Sequence, residues 1–119
     1  MHLTYLGHSC FLVETGNARI LIDPFLTGNP AAAIKAEGVS CDAILVSHGH
    51  EDHIGDALSI AKRNDAVIVA NYELAEYFTA KGARTHGMNP GGAHVFPFGK
   101  VKLTLAHHSS SVEAGLNAV

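Results

Sequence analysis

Ala43-Ile44-Leu45-Val46-Ser47-His48-Gly49-His50-Glu51-Asp52-His53-Ile54-Gly55 is the stretch whose reading decides the fold. Its first four residues form an apolar run of the kind buried on both faces of a sheet. Four metal-ligand side chains then fall within six positions: His48, His50, Asp52 and His53. After them Ile54, Ala57, Leu58 and Ala61 keep the i, i+3, i+4, i+7 spacing of one helix face. The predicted arrangement is a buried strand that delivers ligands to its C-terminal end, where a helix begins. Open α/β sheets place their chemistry at that end.

His48 and His50 stand two apart on an extended segment, so both side chains can point the same way. A third nitrogen would complete a facial site with an open position for water, the pattern of catalytic rather than structural zinc. Asp52 and His53, at the turn into the helix, are placed for a second ion. Gly49 lets the backbone bend sharply, and Gly55 permits close packing as the helix starts. The plain alternative is a polar loop that happens to contain histidines. Four ligand types in six positions behind a buried strand weigh against it. Small zinc hairpins would need cysteines in suitable pairs, which Cys10 and Cys41 do not form.

Composition narrows the rest. With 119 residues, 47% hydrophobic and 16% charged, the chain can build one small globular domain, residues 1–119, with its own core. The low charge suggests a surface partly covered by something else. The net charge of −3 and the lack of a basic stripe argue against nucleic acid. No apolar run approaches the ~20 residues of a membrane span. Met1-His2-Leu3-Thr4-Tyr5 lacks the basic start and apolar core of a signal peptide, so a cytoplasmic location is expected. Cys10 and Cys41 lie in or beside apolar segments and read as small buried hydrophobes.

Taken in order, residues 2–6, 9–14 and 18–22 read as a β-meander, with Thr15-Gly16-Asn17 as a turn and Asp23-Pro24 as the stop. Residues 30–37 predict a short helix that Gly38 would end. Ala66 to Ala70 is a second buried strand. Asn71 is a plausible cap for a helix through about Lys81, with Leu74 and Phe78 on one face. Residues 84–92 read as loop. His94 to Pro97 and Lys100 to Ala106 predict a hairpin around Phe98-Gly99, its second strand ending at His107-His108. Residues 112–119 carry no clear signal. A mixed α/β sheet with helices on at least one face follows.

The run His48-Gly49-His50-Glu51-Asp52-His53 resembles the H-x-H-x-D-H signature of the metallo-β-lactamase superfamily and matches it at all four ligand positions. Gly7-His8-Ser9, Leu21-Ile22-Asp23-Pro24, Thr27-Gly28-Asn29-Pro30, Thr85-His86-Gly87-Met88-Asn89 and His108-Ser109-Ser110-Ser111 extend the resemblance along the chain. Together they resemble one branch, the uncharacterised bacterial and archaeal metal-dependent hydrolases. That branch is similar to the ascorbate-phosphate lactonase and the N-acyl-phosphatidylethanolamine phospholipase D. The resemblance implies an αββα sandwich, of which this chain looks like one αβ half, the N-terminal one. Members run to about twice this length and supply a bridging Asp and a further His from their second half.

Residue by residue, the resemblance implies that His48, His50 and His108 bind a first metal and that Asp52 and His53 bind a second. Asp52 would also hold and orient the attacking water, which makes it the catalytic candidate. Zinc is expected, as one or two ions, with manganese, iron or nickel as alternatives. His108 suits this role at a predicted strand end, whereas His107 should point the other way. Asp23 is a candidate to hold a ligand histidine from behind. His8 and His86 are candidates to line the site; His2 and His94 are expected to be incidental.

The implied function is hydrolysis of an ester, lactone, amide or phosphodiester in a small molecule by metal-bound hydroxide. Two other readings stand beside it. One is an iron redox enzyme on the same scaffold, although diiron reductases typically place a carboxylate where His50 stands. The other is a non-catalytic metal-binding half-domain that acts by pairing with a second copy or with the missing C-terminal half. The substrate would be met by loops such as Phe25 to Pro30 and Met88 to Gly92, which carry no mark of a phosphate, sugar or lipid group.

Overall fold

Alternating apolar residues make the first three strands, His2–Gly7 (β1), Cys10–Thr15 (β2) and Ala18–Ile22 (β3), and these pair antiparallel in sequence order. The computed structural model describes residues 1–112. Three further strands extend the sheet in parallel: Ala43–Leu45 (β4), Val67–Asn71 (β5) and Thr85–Met88 (β6). The order is β1-β2-β3-β4-β5-β6, so the sheet is antiparallel on one side and parallel on the other. Ala93–Phe96 (β7) and Gly99–Lys102 (β8) form a separate hairpin.

The parallel strands need crossovers, and helices supply them. Glu51–Ile54 (α1) and Ala57–Asn64 (α2) lie between β4 and β5; Tyr72–Ala80 (α3) joins β5 to β6. The helical residues Ala57, Ile60, Ala61, Leu74 and Phe78 pack on Leu12, Leu21, Ile44 and Ile68, which lie side by side across the strands. Asn71 caps α3, its side chain accepting the Leu74 N–H at 2.9 Å. Both cysteines are buried and free, and burial pushes the Cys10 thiol up to about 12.

The opposite face is only half covered. The hairpin packs there through Phe96, against Val69 and Met88, with Leu45, Val67, Phe98, Val101 and Leu103 around them. Towards β1 the same face carries Leu3, Val13 and Ile20 in one cross-strand row and Tyr5, Phe11 and Ile22 in the next. Leu3 and Tyr5 are 61% and 58% exposed, so this apolar surface is open. No helix among the described residues is long and apolar enough to cross a membrane.

The structure corrects the sequence reading in four places. Residues 30–37 are not a helix; only a 3-10 turn, Ala36–Gly38, forms there. The Asn29 side chain accepts the Ala31 N–H, its carbonyl accepts that of Ala32, and the Ala33 N–H goes to the Leu6 carbonyl, so these donors serve the loop. The helix after the ligands is two helices, broken at Gly55 with φ +45. A Cβ on Gly55 would collide with the backbone of Pro24 and Phe25. Thr85–Met88 is a strand rather than loop, packed so tightly on α3 that a Cβ at Gly87 would stand 3.3 Å from the Tyr72 backbone. Finally, the last strand stops at Lys102. Leu103 turns to pair with Gly91 and Gly92, and His108 lies on a segment outside any strand or helix, not at a strand end. Residues 113–119, read without a clear signal, lie outside the described residues.

Candidate metal centre

The ligand loop is anchored from behind by one carboxylate. Val46 still bonds to the sheet through its N–H to the Val69 carbonyl (3.0 Å), and Ser47 then leaves it. The Ser47 N–H (2.7 Å) and hydroxyl (2.6 Å) both donate to Asp23, at the end of β3. Asp23 is 4% exposed and sits at φ +43, held there by its own N–H on the Leu45 carbonyl at 3.0 Å. Its Oδ2 also takes His53 Nδ1 at 2.8 Å. A carboxylate can only accept there, so Nδ1 carries the proton and Nε2 keeps a lone pair.

The same logic reaches His48. The Ser47 hydroxyl has a single proton, and Asp23 takes it. At 2.9 Å from His48 Nδ1, the hydroxyl oxygen therefore accepts, and His48 Nε2 is left as the donor atom for an ion. That nitrogen stands 3.1 Å from His50 Nδ1. Two nitrogens that each bind one ion at about 2.0–2.1 Å in tetrahedral geometry lie about 3.3 Å apart, so the spacing fits a shared ion.

His108 completes this group. Its Nδ1 bonds to the Ser109 carbonyl at 2.6 Å, which turns Nε2 free, and its ring lies 4.5 Å from that of His48 and 5.2 Å from that of His50. One donor atom from each of His48, His50 and His108 lies within 4.8 Å of the others. The segment that carries His108 is clipped across the loop: the Gly49 N–H donates to Ser110 Oγ at 2.8 Å. A Cβ on Gly49 would collide with the Ser111 carbonyl, so only glycine admits the crossing.

A second group adjoins the first. His8, Asp52 and His53 also bring one donor atom each to within 4.8 Å of one another. His8 Nε2 stands 3.1 Å from Asp52 Oδ2, and His53 Nε2 stands 3.9 Å from Asp52 Oδ1. The rings of His48 and His53 are 4.2 Å apart, so the two groups share a wall. A cleft of about 490 Å³, bordered by His50, Glu51, Asp52, Ser111 and Val112, opens beside them.

The charge state suits cation binding. Burial lowers the pKa of His48, and the neighbouring His53, His108 and His50 lower it further against the pull of Asp23. The imidazole is thus neutral and able to ligate at neutral pH. For Asp52, desolvation alone would raise the pKa, but His53, its own backbone N–H and His8 outweigh it, and the carboxyl is held below its ordinary value.

Of the residues singled out in the sequence, the structure brings together His48, His50, Asp52, His53, His108, His8 and Asp23. It sets His86 apart. His86 lies against His94, the rings tilted and 4.2 Å apart, and meets Phe96 edge-on at 4.9 Å, beneath the hairpin. There it lines a cleft of about 520 Å³ with Asn17, Asp42 and Val67, at the opposite, N-terminal ends of the parallel strands. His86, two residues from Met88 and paired with Val69, faces the hairpin side of the sheet with them, whereas the sequence reading expected it to line the site. Sequence reasoning passed over Ser47 and Asp56. Ser47 is a hydroxyl directly before the first ligand, which is a usable signal. Asp56 accepts the N–H groups of Leu26 (3.2 Å) and Thr27 (2.8 Å) and so fixes the loop beside the site, for which no local signal exists.

These features define an α/β protein with two adjoining histidine–aspartate groups that could hold metal ions, at the C-terminal ends of the parallel strands of a mixed sheet. The chain belongs to the metallo-beta-lactamase superfamily, whose family model matches residues 3–114. It is 53% identical over 117 residues to a UPF0173 metal-dependent hydrolase of Heliobacterium modesticaldum, covering 98% of this chain and 49% of that one. A UPF0173 metal-dependent hydrolase of Bacillus cytotoxicus is 58% identical over 111 residues, covering 93% and 49%. Among solved structures, Igni18, a metallo hydrolase of Ignicoccus hospitalis, superposes with a TM-score of 0.84 at 40% identity, over 91% of this chain and 49% of that one. The chain thus spans about half the length of these relatives.

Proposed function

We propose that this chain carries the ion-holding part of a metal-dependent hydrolase that cleaves an ester, lactone, amide or phosphodiester bond in a small molecule. The observation that supports it most is the pair of adjoining three-donor groups at one sheet edge, their free nitrogens selected by Asp23 and Ser47. His48, His50 and His108 would hold one ion, and Asp52 and His53 would hold a second. A bound divalent ion supplies Lewis acidity and an activated water near neutral pH. Zinc suits an N/O donor set of this kind, and manganese, iron or nickel can occupy it.

The chain's own residues do the rest. Asp52, ionised at neutral pH, offers an oxygen that accepts a proton from water and so aims its lone pair at the bond to be broken. Asp23 holds His53, and through Ser47 holds His48, so that neither ring turns during the reaction. Because the relatives are twice as long, the remainder of the pocket would come from further chain or from a second copy that covers the open face near Leu3 and Tyr5.

The test is metal content together with activity. Protein purified without added metal should contain zinc or a related divalent ion, and His48→Ala/His50→Ala should lose it. Unchanged stoichiometry in that variant sinks the proposal. Dominant iron with a visible absorption band would instead favour the redox reading. Turnover of bis-p-nitrophenyl phosphate by a clean monomer would exclude the non-catalytic half-domain.

A further inference from the structure

We propose that His8, at the corner between β1 and β2, is the third ligand of the second ion, beside Asp52 and His53. The inference rests on the metal-dependent reading above and deepens it. That reading gives the second ion only two ligands from this chain, both on one short helix. His8 adds a third from a point 44 residues away in sequence.

The backbone gives the first argument. His8 adopts φ +58, a left-handed conformation uncommon outside glycine, in which histidine, asparagine and aspartate are the more frequent exceptions. The corner is nevertheless built firmly. The Tyr5 hydroxyl donates to the His8 carbonyl at 2.9 Å. Gly7, at φ +110, presses so closely on Ala31 that a Cβ would collide with the Ala31 carbonyl. The chain thus fixes the histidine firmly in an uncommon backbone conformation.

The ring gives the second. It meets Phe25 edge-on at 5.6 Å and His53 at 5.4 Å, and these contacts direct Nε2 at Asp52. The two carboxylate oxygens divide: Oδ2 faces His8 Nε2 at 3.1 Å and Oδ1 faces His53 Nε2 at 3.9 Å. A separation of 3.1 Å is close to the ~3.3 Å expected for two donors on one tetrahedral ion. It is also the distance of an ordinary hydrogen bond, and a half-exposed His–Asp pair of that kind contributes little by itself. Metal stoichiometry separates the two.

The experiment titrates zinc, with a chromophoric chelator as competitor, into the chain and into His8→Asn and His8→Gly. Both replacements accept the left-handed backbone, and neither supplies an imidazole. The wild-type chain should take up two equivalents. Each variant should keep the first at unchanged affinity and bind the second at least tenfold more weakly. In the wild-type chain, the ¹⁵N resonance of His8 Nε2 should shift as the second equivalent is added, a readout that needs no variant. Two equivalents of unchanged affinity in both variants, or an unmoved His8 resonance, overturn the inference. A wild-type chain that binds a single equivalent, removed by His48→Ala/His50→Ala, also overturns it and leaves the hydrolase reading standing. Uptake of no ion overturns both.

Discussion

Ser47 has one proton and two neighbours, and this decides how His48 presents itself. Since Asp23 takes the proton, the hydroxyl oxygen is left to accept from His48 Nδ1. Ser47→Ala removes the relay while leaving every proposed ligand in place. Zinc affinity at the His48 group should fall about 10–100-fold, with Ser47→Thr restoring most of it, as read by chelator competition. The pH response is also set at single residues. The pKa of His48 is depressed in the folded chain, so the unfolded chain takes up its proton first as the pH falls. The stability that neutral His48 contributes is complete above about 6.5 and is lost as pH falls below it. Asp52, with its lowered pKa, stays ionised across that window. Thermal melts at pH 7.5 and 5.5 should show the lower midpoint at 5.5, and His48→Asn should shrink the difference.

Among the elements, those that carry a short-range signal are legible in the sequence. Period-two alternation gives β1 to β3, unbroken apolar runs give β4 and β5, and Asn71 marks the start of α3. Removing that cap in Asn71→Ala should cost about 1 kcal/mol in a denaturant melt, since the Leu74 N–H loses its acceptor. Thr85–Met88 was not legible because its strand character is conferred by pairing with β5 and by contact with α3, neither visible in a Thr-His-Gly-Met string. The site divides the same way. His48 to His53 are contiguous and announce themselves; His8, Asp23 and His108 are brought in by tertiary structure, and only residue type points to them, with a strand end beside His8 and Asp23. The crossing of residues 108–111 over Gly49 is likewise a tertiary fact. Gly49→Ala should displace that segment and weaken zinc binding at the His48 group by tenfold or more, while far-UV circular dichroism, set by the sheet and helices, stays near wild type.

At the scale of the molecule, the six-stranded sheet is sealed by helices on one face and left half open on the other. The proposed ligands all gather at one edge, and their spread along the chain has a mechanical meaning. Beyond Leu103, residues 104–111 pair with no strand, and Ser110 is joined to Gly49 from 61 positions away. An ion held by His48, His50 and His108 would therefore close this long loop in the folded chain, and it would stabilise the fold by binding that state and not the unfolded one. Zinc should stabilise the fold in proportion to the logarithm of its excess over the dissociation constant, by about 2.7 kcal/mol at a hundredfold excess, read as a raised melting midpoint. EDTA should reverse the gain, and His108→Ala should remove most of it. Limited proteolysis between Leu103 and Ser111 should slow with zinc and quicken with EDTA. Fastening the chain and holding the ion are then coupled, so a change that frees the fastened segment must weaken the ion's binding, and loss of the ion must loosen the segment by the same factor.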